Sequence, residues 1–102
     1  MPPAPAMRLT VLVPGLLRSY TAGAERVELE VAATTGAGAP TLADGLGALD
    51  RAFPGLRFRI VDEQGRIRPH IKLFVDGGQA RDPAAPLPAT ATLMIVGALS
   101  GG

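Results

Sequence analysis

The chain has 102 residues, a length that suits one domain with a modest hydrophobic core. Apolar residues make up 47% and charged residues 19% of it, which is typical of globular rather than disordered proteins. The net charge of +1 argues against nucleic acid as a partner. The absence of cysteine excludes disulfides, thiolate metal sites and a cysteine nucleophile.

The beginning of the sequence lacks the pattern of a targeting segment. Residues 1–6 are expected to be a loose leader, because they are rich in Pro and Ala. No apolar run follows a basic one at the start of the sequence, so a signal peptide is not expected. No stretch approaches the roughly 18 consecutive apolar residues that span a bilayer. We therefore expect a cytoplasmic protein that has no membrane partner.

Two strands are predicted in the first third of the chain. In the first segment Leu9, Val11 and Val13 alternate with Arg8, Thr10 and Leu12, and residues 26–31 alternate cleanly between apolar and charged side chains, which is strand spacing. The connection between them, "PGLLRSYTAGA", carries turn residues at positions 14–15 and 22–23. A loop of this length can join the two strands into an antiparallel hairpin.

A helix is predicted after the connection "AATTGAGAP". Thr41 is a favourable N-cap residue, and Asp44 three positions later resembles the second member of a capping box. Four apolar residues then fall on one helical face, namely Leu42, Leu46, Leu49 and Phe53. Gly45 and Gly47 each weaken the helix by about 1 kcal/mol relative to Ala. Packing of the apolar face must offset that loss, and Pro54 with the following glycine ends the helix.

The second half of the sequence supplies the remaining strands. Residues 56–70 are interpreted as two β-like stretches joined by a turn at 62–65. Residues 71–75 alternate as a strand, and a short edge strand is expected near 79–81. The last strand, "TLMIV", is apolar on both faces, which indicates a central position in the sheet.

The order of these elements predicts the fold. An antiparallel hairpin is followed by one crossover helix, and the last strand pairs in parallel with the first. The result is an α+β β-grasp, or ubiquitin-like, fold in which a mixed sheet of four to five strands packs on one main helix. The domain is expected to cover residues 7–97, followed by a flexible tail over 98–102.

One face of this sheet is expected to carry an exposed apolar patch. If the odd-numbered strand residues face the helix, alternation places four apolar side chains on the opposite face, namely Leu12, Phe74, Met94 and Val96. Exposed apolar patches usually mark partner sites. A polar rim is expected from Arg8, Arg18 and Arg68. The alternative is that a loop or a neighbouring subunit covers the patch.

The chain ends "LMIVGALSGG", so that Gly101 and Gly102 follow the last strand after a spacer of Ala98, Leu99 and Ser100. A carboxylate that must enter a narrow catalytic channel needs backbone without side chains, which glycine alone provides. At a glycine usage of about 7%, roughly one chain in two hundred ends in this way by chance. The diglycine alone is therefore a weak indication of function.

Three segments together carry a family resemblance, namely "LTVLVPGLLRSYTAGAERVEL", "RPHIKLFVDGG" and "ATLMIVGALSGG". They resemble the ThiS/MoaD family of ubiquitin-like sulfur carriers, and within it the carriers that serve cysteine biosynthesis. The resemblance extends over residues 7–102, and the terminal Gly-Gly is its most specific element.

The resemblance implies a mechanism in which other proteins perform the chemistry. An E1-like adenylating enzyme uses ATP and Mg to activate the carboxylate of Gly102, and a sulfur donor converts it to a thiocarboxylate. A sulfur-accepting biosynthetic enzyme then delivers the sulfide, and a metalloprotease trims the tail. The patch is expected to dock the activating enzyme, because Phe74 falls where similar ubiquitin-like proteins carry their central apolar recognition residue.

The chain itself is expected to have no catalytic residue, no bound cofactor and no metal site, so it is not expected to be an enzyme. Its single histidine, His70, has no second histidine or cysteine to join it as a ligand and is expected to be solvated at the start of a strand.

Several alternatives stay open. The small subunit of molybdopterin synthase would co-purify with a large catalytic subunit. A protein modifier would form isopeptide conjugates with target lysines. A binding module with an inert tail would keep its function without the diglycine. The thiazole-synthesis carrier is less favoured, because those chains tend to be shorter and to lack a hairpin at 56–70.

Overall fold

The computed structural model describes residues 6–33 and 38–97. Within these residues the strands are β1 (Ala6–Leu12), β2 (Arg26–Ala32), β3 (Ile71–Val75), β4 (Gly78–Ala80) and β5 (Thr90–Gly97). The helices are α1 (Leu42–Ala52), α2 (Arg57–Ile60) and a 3-10 helix (Gly15–Thr21). The strands form one mixed sheet in the order β2-β1-β5-β3-β4. This arrangement confirms the predicted β-grasp fold.

The last strand, β5, lies at the centre of the sheet. It pairs in parallel with β1 and antiparallel with β3. Its buried side chains, which include Leu93 and Ile95, alternate with the exposed side chains of Met94 and Val96. The prediction of a central position is therefore confirmed, although the helix covers only one of the two apolar faces of β5.

The core lies between the sheet and α1. Leu46 and Leu49 of α1 pack with Leu9, Leu73 and Leu93 of the strands, and each is at most 1% exposed. Burying one such side chain contributes about 1.5–3 kcal/mol to stability. This contribution exceeds the cost of a glycine in the helix, so packing rather than helix propensity determines that α1 forms.

The predicted start of α1 is confirmed in detail. The hydroxyl oxygen of Thr41 accepts a hydrogen bond from the backbone N–H of Asp44 at 3.2 Å. The Asp44 carboxylate accepts one from the backbone N–H of Thr41 at 2.8 Å. This reciprocal capping box satisfies two backbone donors that the first turn of a helix otherwise leaves unpaired.

The two glycines of α1 have different surroundings, which gives a test of the packing. A Cβ atom added at Gly45 would lie 3.1 Å from Cδ2 of Leu9, whereas one added at Gly47 would lie 3.6 Å from Nη1 of Arg51. We expect Gly47→Ala to raise the free energy of unfolding by about 0.8 kcal/mol. Gly45→Ala is expected to gain less, because Leu9 must shift. Urea denaturation measures both, and equal gains would contradict close packing of α1 on β1.

The interpretation of residues 56–70 as a β-hairpin is wrong in its first half. Residues 57–60 form the short helix α2, because Leu56 and Ile60, four positions apart, are both fully buried on one helical side. A strand would have placed Phe58 on the same face as these two residues. Phe58 is instead 52% exposed.

The junction between the helices explains why α2 forms. The Asp50 carboxylate, in the last turns of α1, accepts hydrogen bonds from the backbone N–H groups of Gly55 at 3.1 Å and Arg57 at 3.3 Å. After α2, a single β-bridge joins Val61 to Ile67.

The predicted turn at 62–65 is present. The Asp62 carboxylate accepts hydrogen bonds from the backbone N–H groups of Arg66 and Gln64, each at 2.9 Å. These bonds, chiefly the one from Arg66, together with the nearby guanidinium of Arg66, lower the pKa of Asp62. Because the folded-state pKa is lowered, the stabilisation is present above the unfolded pKa and is lost as pH falls through the folded pKa.

Two further differences from the sequence-based expectations concern the first hairpin. Ala6, which was expected in the leader, is the first residue of β1 and lies opposite Ala32. The 3-10 helix occupies the connection that was expected to be a loop.

Across residues 6–33 and 38–97, none of the helices combines the length and apolar character that crossing a membrane requires.

Candidate functional site

The four residues Leu12, Phe74, Met94 and Val96, called here the outer-face patch, lie on three neighbouring central strands. Met94 of β5 is opposite Leu12 of β1 on one side and Phe74 of β3 on the other. Residues that face each other in this way have Cβ atoms about 5 Å apart. The sheet therefore brings together three apolar side chains that are distant in the sequence.

The outer-face patch is open to solvent. Met94 is 42% and Val96 is 40% exposed, while Leu12 and Phe74 are half-buried. No loop within residues 6–33 and 38–97 covers Met94 or Val96, so the expected alternative of a covering loop is wrong for this part of the chain. The patch lies on the face of the sheet opposite α1, where it is available to a partner.

Polar residues continue the row of the patch to both edges of the sheet. Arg26 of β2 lies opposite Leu12, and Gln79 of β4 lies opposite Phe74. An apolar centre with polar edges is the usual arrangement of a protein–protein interface.

The three arginines expected as a rim lie in three different places. Arg18 lines a cavity of about 420 Å³ together with Leu12 and Met94, so it borders the patch. Its Nη2 lies 3.7 Å from a carboxylate oxygen of Glu25. Arg8 is exposed near the start of β1, opposite Glu30. Arg68 lines a different cleft, because its Nε donates a hydrogen bond to the carbonyl oxygen of Phe58 at 2.6 Å.

The tail residues expected to carry the chemistry follow directly on β5. Gly97, opposite Ile71, is the last residue of this strand. Ala98, Leu99, Ser100, Gly101 and Gly102 lie outside the described residues. Pairing with β3 holds Gly97 at the point where the tail begins, whereas pairing with β1 ends at Met94.

Leu16 is a residue that sequence reasoning missed. It is 51% exposed, and its Cδ2 would lie 3.8 Å from a Cβ atom added at Gly97. It belongs to the 3-10 helix, where neither strand nor α-helix periodicity reports which side chains are exposed. The only available signal was a leucine directly after the Pro14-Gly15 turn. Leu16 thus provides an apolar contact beside the point where the tail begins.

His70 is exposed just before β3. Among residues 6–33 and 38–97, no group of three or more His, Asp or Glu side chains is placed to hold a metal ion.

Comparison with solved structures finds small proteins of the same fold. A chain of the crystal structure of the Amycolatopsis orientalis BexX/CysO complex is 26% identical, with a TM-score of 0.75 and coverage of 92% of this chain and 99% of that chain. SAMP1 from Haloferax volcanii is 25% identical, with a TM-score of 0.70 and coverage of 93% and 99%. Mycobacterium tuberculosis CysO, at 21% identity, a TM-score of 0.72 and coverage of 89% and 99%, shows the fold alone.

No protein-family model matches the chain, and no curated protein matches it. The solved structures nevertheless agree with the resemblance seen in the sequence. The chain is a ubiquitin-like β-grasp protein similar in structure to CysO and SAMP1, as its resemblance to the ThiS/MoaD family predicted.

Proposed function

We propose that this protein is a sulfur carrier whose terminal carboxylate, on Gly102, is adenylated and converted to a thiocarboxylate that donates sulfide in biosynthesis. The observation that carries the proposal is the path of β5. This central strand presents Met94 and Val96 on an open face and then continues directly into the tail that ends in Gly101 and Gly102. The same strand therefore contributes the docking surface and positions the reactive end.

The length of the tail supports this pairing of surface and reactive end. Five residues follow Gly97, and a fully extended chain of that length spans at most about 17 Å. An activating enzyme must therefore contact the protein close to Gly97 to reach the carboxylate of Gly102. The outer-face patch and Leu16 are exposed apolar surfaces near that point.

The proposed reaction belongs to the partner enzymes. A carboxylate oxygen of Gly102 attacks the α-phosphorus of ATP, with Mg bound by the activating enzyme, and pyrophosphate leaves. A sulfur nucleophile then attacks the acyl carbon, and AMP leaves as the thiocarboxylate forms. In this scheme the present chain contributes the carboxylate and the docking surface.

The partners are proposed on two different grounds. One solved neighbour is a complex of CysO with BexX, which supports a protein partner for this chain as well, and the family resemblance makes that partner a sulfur-accepting biosynthetic enzyme. The E1-like adenylating enzyme and the tail-trimming metalloprotease follow from the family resemblance.

Intact mass spectrometry tests the proposal. The full chain is incubated with ATP, Mg, a sulfide source and the candidate activating enzyme. We expect a product with one sulfur in place of one oxygen, and fragmentation should locate it at Gly102. If the mass of this chain stays unchanged with an activating enzyme that does modify its cognate carrier in a control reaction, the proposal is contradicted.

A second candidate function is that of a protein modifier. It is favoured by the similarity to SAMP1, since a Haloferax volcanii structure with the same fold is described as small archaeal modifier protein 1. The protein has a single lysine, Lys72, so it is poorly suited to forming polymers in which one copy is attached to a lysine of the next. Conjugates of higher mass on a blot from cells that express the tagged protein, lost without the diglycine, would indicate this function.

A further inference from the structure

A cleft opens at the edge of the sheet where β4 ends. It lies between residues 66–69, which lead into β3, and residues 79–83, which begin in β4. Its volume of about 380 Å³ falls in the range of about 300–1,000 Å³ that is typical of ligand sites. The cleft is large enough to accept a few side chains of a partner.

The charged side chains of the cleft are all cationic. Arg66, Arg68, Lys72 and Arg81 line it, and none of its lining residues among positions 6–33 and 38–97 is acidic. Arg66 has a carboxylate partner, Asp62, at 3.4 Å. Within the same part of the chain the other three cations form no ion pair. Arg68 donates its Nε–H to the carbonyl oxygen of Phe58, and Arg81 donates from Nη2 to the side-chain oxygen of Gln79. Each guanidinium therefore keeps further N–H groups for an external anion.

Two of these cations lie beside the end of the β3–β4 ladder and line the same cleft. Leu73 and Ala80 form the last pair of the β3–β4 ladder, and Lys72 and Arg81 are the residues next to this pair in the two segments. Both side chains are exposed. Like charges that line one cleft repel each other. A carboxylate placed between them would turn this repulsion into attraction.

The composition of the rest of the cleft indicates the kind of anion. Ile67, Pro69 and Pro83 contribute apolar surface beside the cations. The opposite edge of the sheet carries acidic residues of β2, Glu28 and Glu30. These carboxylates disfavour only a long polyanion that extends across the sheet to that edge, whereas a short protein segment can confine its negative charge to the cleft.

We propose that this cleft binds an acidic, extended segment of a partner protein, in which carboxylates contact the cations and apolar side chains contact Ile67 and Pro69. The cleft adjoins the outer-face patch, because Lys72 lies opposite Val96. It also adjoins the start of the tail, because Ile71 lies opposite Gly97. A partner that covers the patch can therefore place such a segment in the cleft. The proposal does not depend on the chemistry of Gly102.

An NMR titration with a defined probe tests this inference. The isotope-labelled full chain is titrated with an acetylated, amidated pentapeptide of alternating glutamate and valine. We expect amide shifts concentrated at Ile67, Lys72 and Ala80, with affinity that falls as salt is added. Arg81→Glu should weaken binding about tenfold, because an attraction is replaced by a repulsion. Arg51→Glu, an equal charge change at an exposed position of α1, should leave the affinity unchanged.

Four outcomes would overturn the proposal. The first is the absence of amide shifts in the cleft, and the second is equal shifts with a peptide that carries lysine in place of glutamate. The third is the same shifts with inorganic phosphate at equal concentration. The fourth is an equal loss of peptide affinity in Arg81→Glu and Arg51→Glu. The phosphate result would identify a small-anion site instead of a protein site. Because the titration contains neither ATP nor an activating enzyme, its failure is distinguishable from failure to form a thiocarboxylate.

Discussion

Deleting Gly101 and Gly102 is expected to abolish thiocarboxylate formation while leaving the stability of the domain unchanged. The deletion moves the carboxylate to Ser100, which brings it closer to Gly97 by two residues, or up to about 7 Å of extended chain. It also places a side chain where a narrow channel admits only backbone. Intact mass after incubation with ATP, sulfide and the activating enzyme measures the first effect, and thermal denaturation measures the second.

Two tail variants serve as controls for this deletion. Ser100→Ala keeps the length and the diglycine, so it should be modified at the wild-type rate. Gly102→Ala keeps the length but adds a methyl group beside the reacting carbon, so it should be modified more slowly. If the deletion variant still acquired sulfur, the terminal carboxylate of the native chain would not be the specific substrate.

Replacing Phe74 by Ala is expected to raise the KM of the activating enzyme for this protein about tenfold or more. The few residues that dominate an interface each cost about 2 kcal/mol or more when truncated to Ala, which corresponds to about 30-fold in affinity. Phe74 is the aromatic member of the outer-face patch and lies directly opposite Met94, the middle residue of the row that begins at Leu12. Because the contact is made in docking and not in the chemical step, kcat should change less than KM.

Met94→Glu is a second test of the same surface. Met94 is 42% exposed, so a charge at this position disturbs the fold little but opposes burial against an apolar partner. We expect it to raise KM at least as much as Phe74→Ala. Its unfolding transition should stay close to that of the wild-type protein, which separates a docking defect from a folding defect.

Phe58→Ala is the matched control for the patch. Phe58 is 52% exposed but belongs to α2, so it removes an exposed aromatic ring outside the outer-face patch. Its KM should equal that of the wild-type protein. Activation of Phe74→Ala and Met94→Glu at the wild-type rate would contradict docking through the patch. An equal loss in Phe58→Ala would point to a general effect of lost apolar surface.

Much of the fold could be predicted from local patterns. The alternation of residues 26–31 and 71–75 predicted strands, because successive side chains of a strand point to opposite faces. The capping residues Thr41 and Asp44 predicted the start of α1, because both partners of the box lie within one turn. These signals connect residues that are close in sequence, so no tertiary contact was needed to interpret them.

Residues 56–60 show where such patterns fail. Leu56, Phe58 and Ile60 are apolar at every second position, which suits a strand, but Leu56 and Ile60 are also four positions apart, which suits a helix turn. Five residues are too few to separate the two periods. Contacts decided between them, because Asp50 binds the backbone at positions 55 and 57 and the core accepts only Leu56 and Ile60.

The sequence by itself determined the fold class, the diglycine end and the alternation that places Leu12, Phe74, Met94 and Val96 on one face. Only the tertiary structure decided that this face is open, that Leu16 lies beside Gly97 and that Arg68 belongs to a cationic cleft with Lys72 and Arg81. The physical reason is distance along the chain. Alternation and capping act between neighbours, whereas surfaces and clefts depend on strand pairing, which the whole sheet determines.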